Sequence, residues 1–269
     1  MSKIRIDQYL VEQDYFPSRQ KAQAALMAGQ IKLDNRVIDK AGTKYKITDL
    51  ETKLIVDKGN PYASRGGHKL ARAIEIFEPQ IKNQVFLDIG ASTGGFTDCL
   101  IQNGANYVYA IDVGYGQIRW ELRDHPQIKV LERCNARHLT FEQLYKDDQK
   151  LATSAVIDVS FISLTKIIPN LLNLLKPVDS IIALIKPQFE VGKDKVGKGV
   201  VTDPKLHVET LDSLSEFFSQ NKLNIHGLTY SPIKGPAGNI EFLVYLKSEI
   251  SDLEVDFKKL VDEAHLGAD

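Results

Sequence analysis

Four charged residues stand where this chain makes charge expensive: Lys69, Asp158, Lys186 and Glu241. Asp158 closes a short apolar run in Val156-Ile157-Asp158-Val159-Ser160-Phe161, and Lys186 closes another ahead of Pro187-Gln188-Phe189. Glu241 opens the run that begins at Phe242, and Lys69 follows the Gly66-Gly67 turn in Ser64-Arg65-Gly66-Gly67-His68-Lys69-Leu70. Charges at the tips of buried strands lose water, so each needs a partner or a task. Taken singly they read equally well as a surface lysine, a capping aspartate and a salt-bridged glutamate. Gathered at one mouth, two lysines and two carboxylates could hold a polar group and move its proton. That gathering requires neighbouring strands of one sheet and a helix to deliver Lys69.

The pattern from Gln84 onward supplies such a sheet. Apolar runs suited to buried strands recur at 85–87, 107–111, 128–131, 155–157, 181–185, 223–228 and 242–246. Helix-compatible stretches at 96–103, 118–123, 164–175 and 207–221 separate most of them. Alternation of this kind predicts a mostly parallel α/β sheet covered on both faces. The last two runs are joined by a Gly/Pro loop, 231–239, too short for a helix. They should form a hairpin that puts an antiparallel strand at the end of a Rossmann-like, seven-stranded sheet. That is the arrangement of the class I S-adenosylmethionine-dependent methyltransferases.

A glycine loop, Asp88-Ile89-Gly90-Ala91-Ser92-Thr93-Gly94-Gly95-Phe96, follows the first strand and opens a helix. Glycines let a backbone pass close to a ligand and aim its amides at it, and doubly wound sheets bind at the carboxyl ends of their strands. Asp112, ending the second strand with Val113 behind it, is placed to accept from two ribose hydroxyls. A nicotinamide dehydrogenase is the rival reading, but its fingerprint needs glycine where Ser92 stands. Asp88 suits a methionine amine, or a water beside a sulfonium, better than a pyrophosphate, so the loop favours S-adenosylmethionine. Asn135, after the third strand, reads either as a hydrogen-bond partner of adenine or as a loop cap.

With 269 residues, 43% hydrophobic and 26% charged, the chain can build one large domain and one small one. Asn173, Lys176 and Pro177 break the richest apolar stretch, so no run approaches the roughly 18 residues that span a bilayer. Two cysteines, Cys99 and Cys134, show no metal spacing, and the start lacks the apolar core of a leader; a cytoplasmic protein with free thiols and no metal is expected. Residues 1–60 carry 11 Lys and Arg against 8 Asp and Glu, a mild positive bias.

Those residues read as a separate α+β unit. A short helix bears Ile6, Tyr9 and Leu10, and a second starts near Pro17-Ser18 and ends at Gly29. A hairpin turns at Asp34-Asn35, and a third strand covers 53–56. The expected division is a small domain over 1–58, a linker over 59–65, a catalytic domain over 66–247 and a helical tail over 248–269. Arg5-Ile6-Asp7, Leu10, Ser18-Arg19, Ala22, Gly29, Ile31 and Leu33-Asp34-Asn35 resemble the S4-type RNA-binding domain. The resemblance implies that Arg5, Arg19, Lys21, Lys32 and Arg36 face RNA phosphates; without it they read as a solvated charged face.

Over nearly its whole length the chain resembles the TlyA (haemolysin A) family of ribosomal RNA 2′-O-methyltransferases, whose catalytic domain is FtsJ-like. The motifs are SRGGHKL, DIGASTGGF, DVG, DVSF, KPQFE and SPIKGPAGNIEF. The resemblance implies a Lys-Asp-Lys-Glu tetrad at Lys69, Asp158, Lys186 and Glu241, with S-adenosylmethionine as donor and ribosomal RNA, within assembled subunits or free, as partner. In-line attack by a ribose hydroxyl needs that hydroxyl held near the methyl and its proton removed. Lys186 would be the base or the orienter, fixed by Glu241 and Lys69, with Asp158 orienting it. Base methylation is disfavoured, because DVSF lacks the prolines of amine methyltransferases and neither cysteine sits in a cytosine-C5 motif. Arg65 and the segment 193–198 would add phosphate contacts, the loop 191–201 being either a lid or an ordinary exposed loop. The competing classes are a noncatalytic RNA-binding or ribosome-assembly factor and a membrane-active haemolysin.

Overall fold

A computed structural model describes residues 3–57, 59–146, 150–192, 194 and 196–267. Contacts divide the chain into two compact units, Met1–Pro61 and Tyr62–Asp269. The division falls inside the stretch expected as a linker: Ala63 is buried in the second unit, its N–H donating to Asp98 Oδ2 at 2.7 Å.

The first unit runs β1 (Lys3–Arg5), α1 (Ile6–Glu12), α2 (Arg19–Met27), β2 (Ile31–Leu33), β3 (Arg36–Val37), β4 (Lys44–Lys46), α3 (Ile47–Lys53) and β5 (Leu54–Val56). Ser18 caps α2, its hydroxyl accepting from the Lys21 N–H. The β2–β3 hairpin turns on Asp34 and Asn35, both left-handed at φ 49° and 63°, the conformation that Asn and Asp tolerate and two-residue hairpins require. Ile6, Leu10, Ala22, Leu26, Ile31 and Leu50 form a small core. The β1–β4 ribbon and α3 gave no sequence signal, because Lys-Ile-Arg and Lys-Tyr-Lys are too short for a readable period.

The second unit runs α4 (Gly66–Phe77), β6 (Val85–Ile89), α5 (Gly95–Gln102), β7 (Tyr107–Ile111), α6 (Trp120–Arg123), β8 (Ile128–Leu131), α7 (Phe141–Tyr145), β9 (Ser154–Ile157), α8 (Ile168–Leu174), β10 (Ser180–Ile185), α9 (Pro187–Glu190), α10 (Pro204–Gln220), β11 (Asn224–Tyr230), β12 (Phe242–Lys247) and α11 (Phe257–Gly267). Its seven strands form one sheet in the order β11-β12-β10-β9-β6-β7-β8, in which β12 alone runs against its neighbours. Alternate residues of each strand serve opposite faces. Phe86, Val108, Val156, Leu184 and Leu243 pack with Leu70, Phe96 and Leu100 of α4 and α5. Leu87, Ile89, Ile111, Ile157 and Val244 pack with Leu171, Leu214 and Val261 of α8, α10 and α11. The helix expected over 164–175 is split: a 3-10 turn at Leu164–Lys166 precedes α8, and Pro169, which cannot donate into a continuing ladder, sits in the first turn of α8.

α10 is tied to α11 through His207, which is fully buried. The Val201 carbonyl can only accept, so His207 donates from Nε2 to it at 3.1 Å, and its Nδ1 accepts from His265 Nε2 at 3.1 Å. Burial, with His265 adding to it, pushes the His207 imidazolium down from 6.5 to about 4. The unfolded chain therefore binds a proton between those values that the folded chain refuses. Stability should be intact above pH 6.5 and fall by roughly 3 kcal/mol as pH drops through the window. Urea unfolding of the protein and of His207→Gln checks this: the variant's stability should change less between pH 4 and 6.5, and parallel curves would contradict it.

Candidate active site

Strand order decides where the charged tips go. β9 and β10 are parallel neighbours, so Asp158 and Lys186, each one residue past its strand, emerge on the same edge. β12 lies beside β10 but runs the other way, so Glu241, one residue before it, starts from that edge too. α4 packs its Leu70 and Ala73 over the same face as Leu243 and Tyr245, which brings Lys69 in from above.

The result is two ion pairs, one fully buried between Lys69 and Glu241 and one in which Lys186 is buried and Asp158 half-buried. Lys69 Nζ donates to Glu241 Oε2 at 2.5 Å, and Lys186 Nζ lies 2.6 Å from Asp158 Oδ1 while donating to Ser160 Oγ at 3.0 Å. Lys69, Asp158 and Lys186 line one cavity of about 500 Å³; Glu241, 1% exposed, stands behind Lys69 and also accepts from Gln188 Nε2 at 3.4 Å. Gly235 permits this approach, because a Cβ there would come 2.1 Å from Glu241 Oε1. Glu190 secures the β9 loop: the Ser163 hydroxyl and the Leu164 N–H donate to its carboxylate at 2.6 and 2.9 Å, while burial pushes that carboxyl up.

A second cavity of about 490 Å³ adjoins the first, sharing Gly90, Ser92, Asp158 and Ser160. Asp112, Val113 and Asn135 line it with Ala136 and Ile162. Asp112 accepts from the Ser92 and Gly114 N–H groups at 2.8 and 2.7 Å, which locks the glycine loop to β7. Asn135 Oδ1 accepts from the Arg137 N–H at 3.1 Å, as a loop cap does, while its side chain still faces the cavity. Gly90 must be glycine: its φ is 86° and a Cβ would meet the Asp158 carbonyl at 2.5 Å. This cavity has the size and mixed apolar and polar walls of a nucleoside site. Thr93, Gly95 and Phe96 line the first cavity. Phe161, 91% exposed and left-handed at φ 65°, stands on the wall of the second.

Some expected site residues lie elsewhere. Asp88 lines neither cavity; the β-strand alternation turns it under α5, where it is fully buried and accepts from the Thr97 hydroxyl at 2.5 Å. Gly94 caps α5 at φ 93° and lines neither cavity. Arg5 and Arg19 both bind buried Asp7, at 3.0 and 2.7 Å, and together with Gln23 they hold the Asp7 carboxyl far below its usual range. Both arginine side chains stay partly open to solvent, 40% and 54% exposed, while paired with Asp7. Lys21 and Arg36 are exposed, Lys32 is half-buried, and Arg65 is exposed at the mouth of the first cavity. Lys193 and Lys195 lie outside the described residues. Ser160, Gln188, Lys234 and Gly235 carry no signal of their own in the sequence beyond lying within DVSF, KPQFE and SPIKGPAGNIEF.

A family model, FtsJ-like methyltransferase, matches residues 62–248, and an S4 domain model matches 4–50. The chain belongs to the TlyA family of FtsJ-like methyltransferases. It is 38% identical over 264 residues to the 16S/23S rRNA (cytidine-2′-O)-methyltransferase TlyA of Mycobacterium tuberculosis, covering 98% of this chain and 96% of that one. Identity with YqxC of Bacillus subtilis, named as a candidate rRNA methyltransferase, is 44% over 272 residues, covering 98% and 94%. A solved structure described as a candidate hemolysin from Streptococcus thermophilus superposes with a TM-score of 0.73 at 38% identity, covering 99% and 97%. Among the described residues, no helix is long and apolar enough to cross a membrane.

Burial pushes Asp88 up from 3.8 to about 7, Asp158 adding to the shift and the Thr97 hydrogen bond opposing it. The folded chain therefore holds a proton there that the unfolded chain releases, and this contribution to stability is lost as pH rises from 4 through 7. Asp88→Asn should be increasingly more stable than the parent over that range, by a few kcal/mol at pH 8. Denaturant melts across pH, without cofactor, measure the difference; a constant or reversed difference would contradict the burial argument.

Proposed function

We propose that the chain transfers a methyl group from S-adenosylmethionine to a ribose 2′-hydroxyl of ribosomal RNA. The observation that carries this reading is the pairing of Lys186 with Asp158, and of Lys69 with Glu241, beside a glycine-loop cavity of nucleoside size. The names of the TlyA relatives supply the substrate, and the S4 domain at the N-terminus agrees with an RNA partner.

S-adenosylmethionine, when bound, supplies an electrophilic methyl on a sulfonium. Asp112 would hold its ribose and Asn135 its adenine, with the backbone of Gly90 and Ser92 bordering the donor. The target nucleoside would enter the first cavity, where Lys69, Lys186 and Asp158 face it. Lys186 Nζ, once it has released its own proton to solvent, takes the 2′-hydroxyl proton and returns to the ammonium form that pairs with Asp158. Asp158 and Ser160 fix the direction of that nitrogen, and Asp158 favours positive charge on it as the proton arrives. Glu241 holds Lys69, whose ammonium stabilises the oxygen as it gains negative charge. Exposed Phe161 offers a face on which an unstacked base can rest. Lys21, Lys32 and Arg36 of the first unit hold RNA phosphates, whereas Arg5 and Arg19 shape the unit.

Lys186→Ala should lower kcat for methyl transfer at least about 100-fold, with donor affinity by calorimetry unchanged. Lys186→Arg keeps a charge but accepts no proton, so it should be as inactive as the alanine variant; near-normal turnover in either would overturn the role of Lys186. Replacing Lys21, Lys32 and Arg36 together with Gln should weaken RNA binding and flatten its dependence on salt, by about 0.7–0.9 in the log–log slope for each lost phosphate contact. An unchanged slope would remove these residues from the RNA interface.

A further inference from the structure

The outward face of α4 bears a row of two arginines with a histidine between them. Arg65, immediately before the helix, and His68 and Arg72 within it are spaced by three and four residues, so they share one side, while Lys69 and Leu70 point inward and are buried. This row forms one wall of a groove of about 640 Å³ whose other wall is Tyr230, Pro232 and Ile233, around the start of the β11–β12 connection, with Gly267 at the end of α11. Arg65 and Ile233 line both the groove and the catalytic cavity, so the groove leads directly out of that cavity. Arg65 forms no ion pair among the described residues. Arg72 lies 3.4 Å from Glu75, which also lines the groove.

We propose that this groove carries the RNA strand that flanks the methylated nucleotide, with Arg65 and Arg72 each holding a backbone phosphate; the inference rests on the ribose-methylation reading. A nucleotide seated beside Lys186 stays covalently joined to its neighbours, so the strand must leave the cavity along some surface. The groove is a cationic exit that begins at the cavity's own rim. Arg65 and Arg72 are separated by about 10 Å along the helix, at 1.5 Å of rise per residue, enough for two successive phosphates. The guanidinium fork matches the oxygens of a phosphate, and a phosphodiester has the single diffuse charge that such a row can neutralise. Glu75 occupies Arg72 when no RNA is present, so a phosphate must displace it. The carboxylate thereby weakens the hold on any strand in the groove.

The test uses the full-length protein and ribosomal subunits isolated from cells that lack it, with methyl transfer measured over a series of salt concentrations. Arg72→Gln should raise KM for subunits at least about five-fold with kcat unchanged, and should make the salt slope shallower by about 0.7–0.9, one phosphate's worth of counterions. Glu75→Gln should lower KM, and calorimetry should find donor affinity unaltered in both variants. A change in fold alone would not shift the salt slope, nor would it move the two variants in opposite directions. Wild-type activity with Arg72→Gln unchanged in KM and slope, or with Glu75→Gln weakened, overturns the groove and leaves ribose methylation standing. A wild-type protein that transfers no methyl group to RNA overturns both.

Discussion

One antiparallel strand governs the chemistry of this fold. In an all-parallel sheet the residue preceding a strand lies on the edge opposite to the residues following its neighbours. Because β12 is reversed beside β10, Glu241 begins where Lys186 and Asp158 end. The three charges are then fixed by ladder hydrogen bonds rather than by flexible loops, and α4 needs only to bring Lys69 within reach of Glu241. The hairpin that reverses the strand does a second service: its glycine at 235 lets the backbone close over Glu241.

Lys69, Lys186 and Glu241 are buried and Asp158 is half-buried, and burial makes each lysine depend on its carboxylate. A buried charge that loses its partner is strongly destabilising, while the pair itself adds little net stability. The site is therefore better understood as a device for holding orientation than as a brace for the fold. Stability comes from the two apolar layers on either side of the sheet. The supporting hydrogen bonds follow the same logic. Asp112, one residue past β7, accepts from the Ser92 and Gly114 amides, and Glu190 of α9 accepts from Ser163 and Leu164, so carboxylates hold the loops beside the cavities.

Much of this was legible in the residues. Alternating apolar runs point to the strands, the short 231–239 loop to the reversed hairpin, and charges at strand tips to the edge where Lys69, Asp158, Lys186 and Glu241 meet. What stayed hidden depended on directions that spacing does not encode. Asp88 sits in the loop motif, yet the strand's pleat sends it under α5. Arg5 and Arg19 match an RNA-binding pattern, and the pattern does not show that both also pair with buried Asp7. Ser160 is a small neutral residue in a motif full of louder ones, and only its 3.0 Å contact with Lys186 distinguishes it. The three-residue ribbons of the first unit carry too few residues to show any period.

The charged edge, on the reading proposed above, serves a sugar oxygen and not a base. The most direct measurement is to incubate the purified protein with ribosomal subunits and methyl-labelled S-adenosylmethionine, digest the RNA, and identify the labelled nucleoside by mass spectrometry. A label on the ribose, at a linkage that resists alkali because its 2′-oxygen is blocked, is the predicted result. A label on a nucleobase, or none at all, would contradict it.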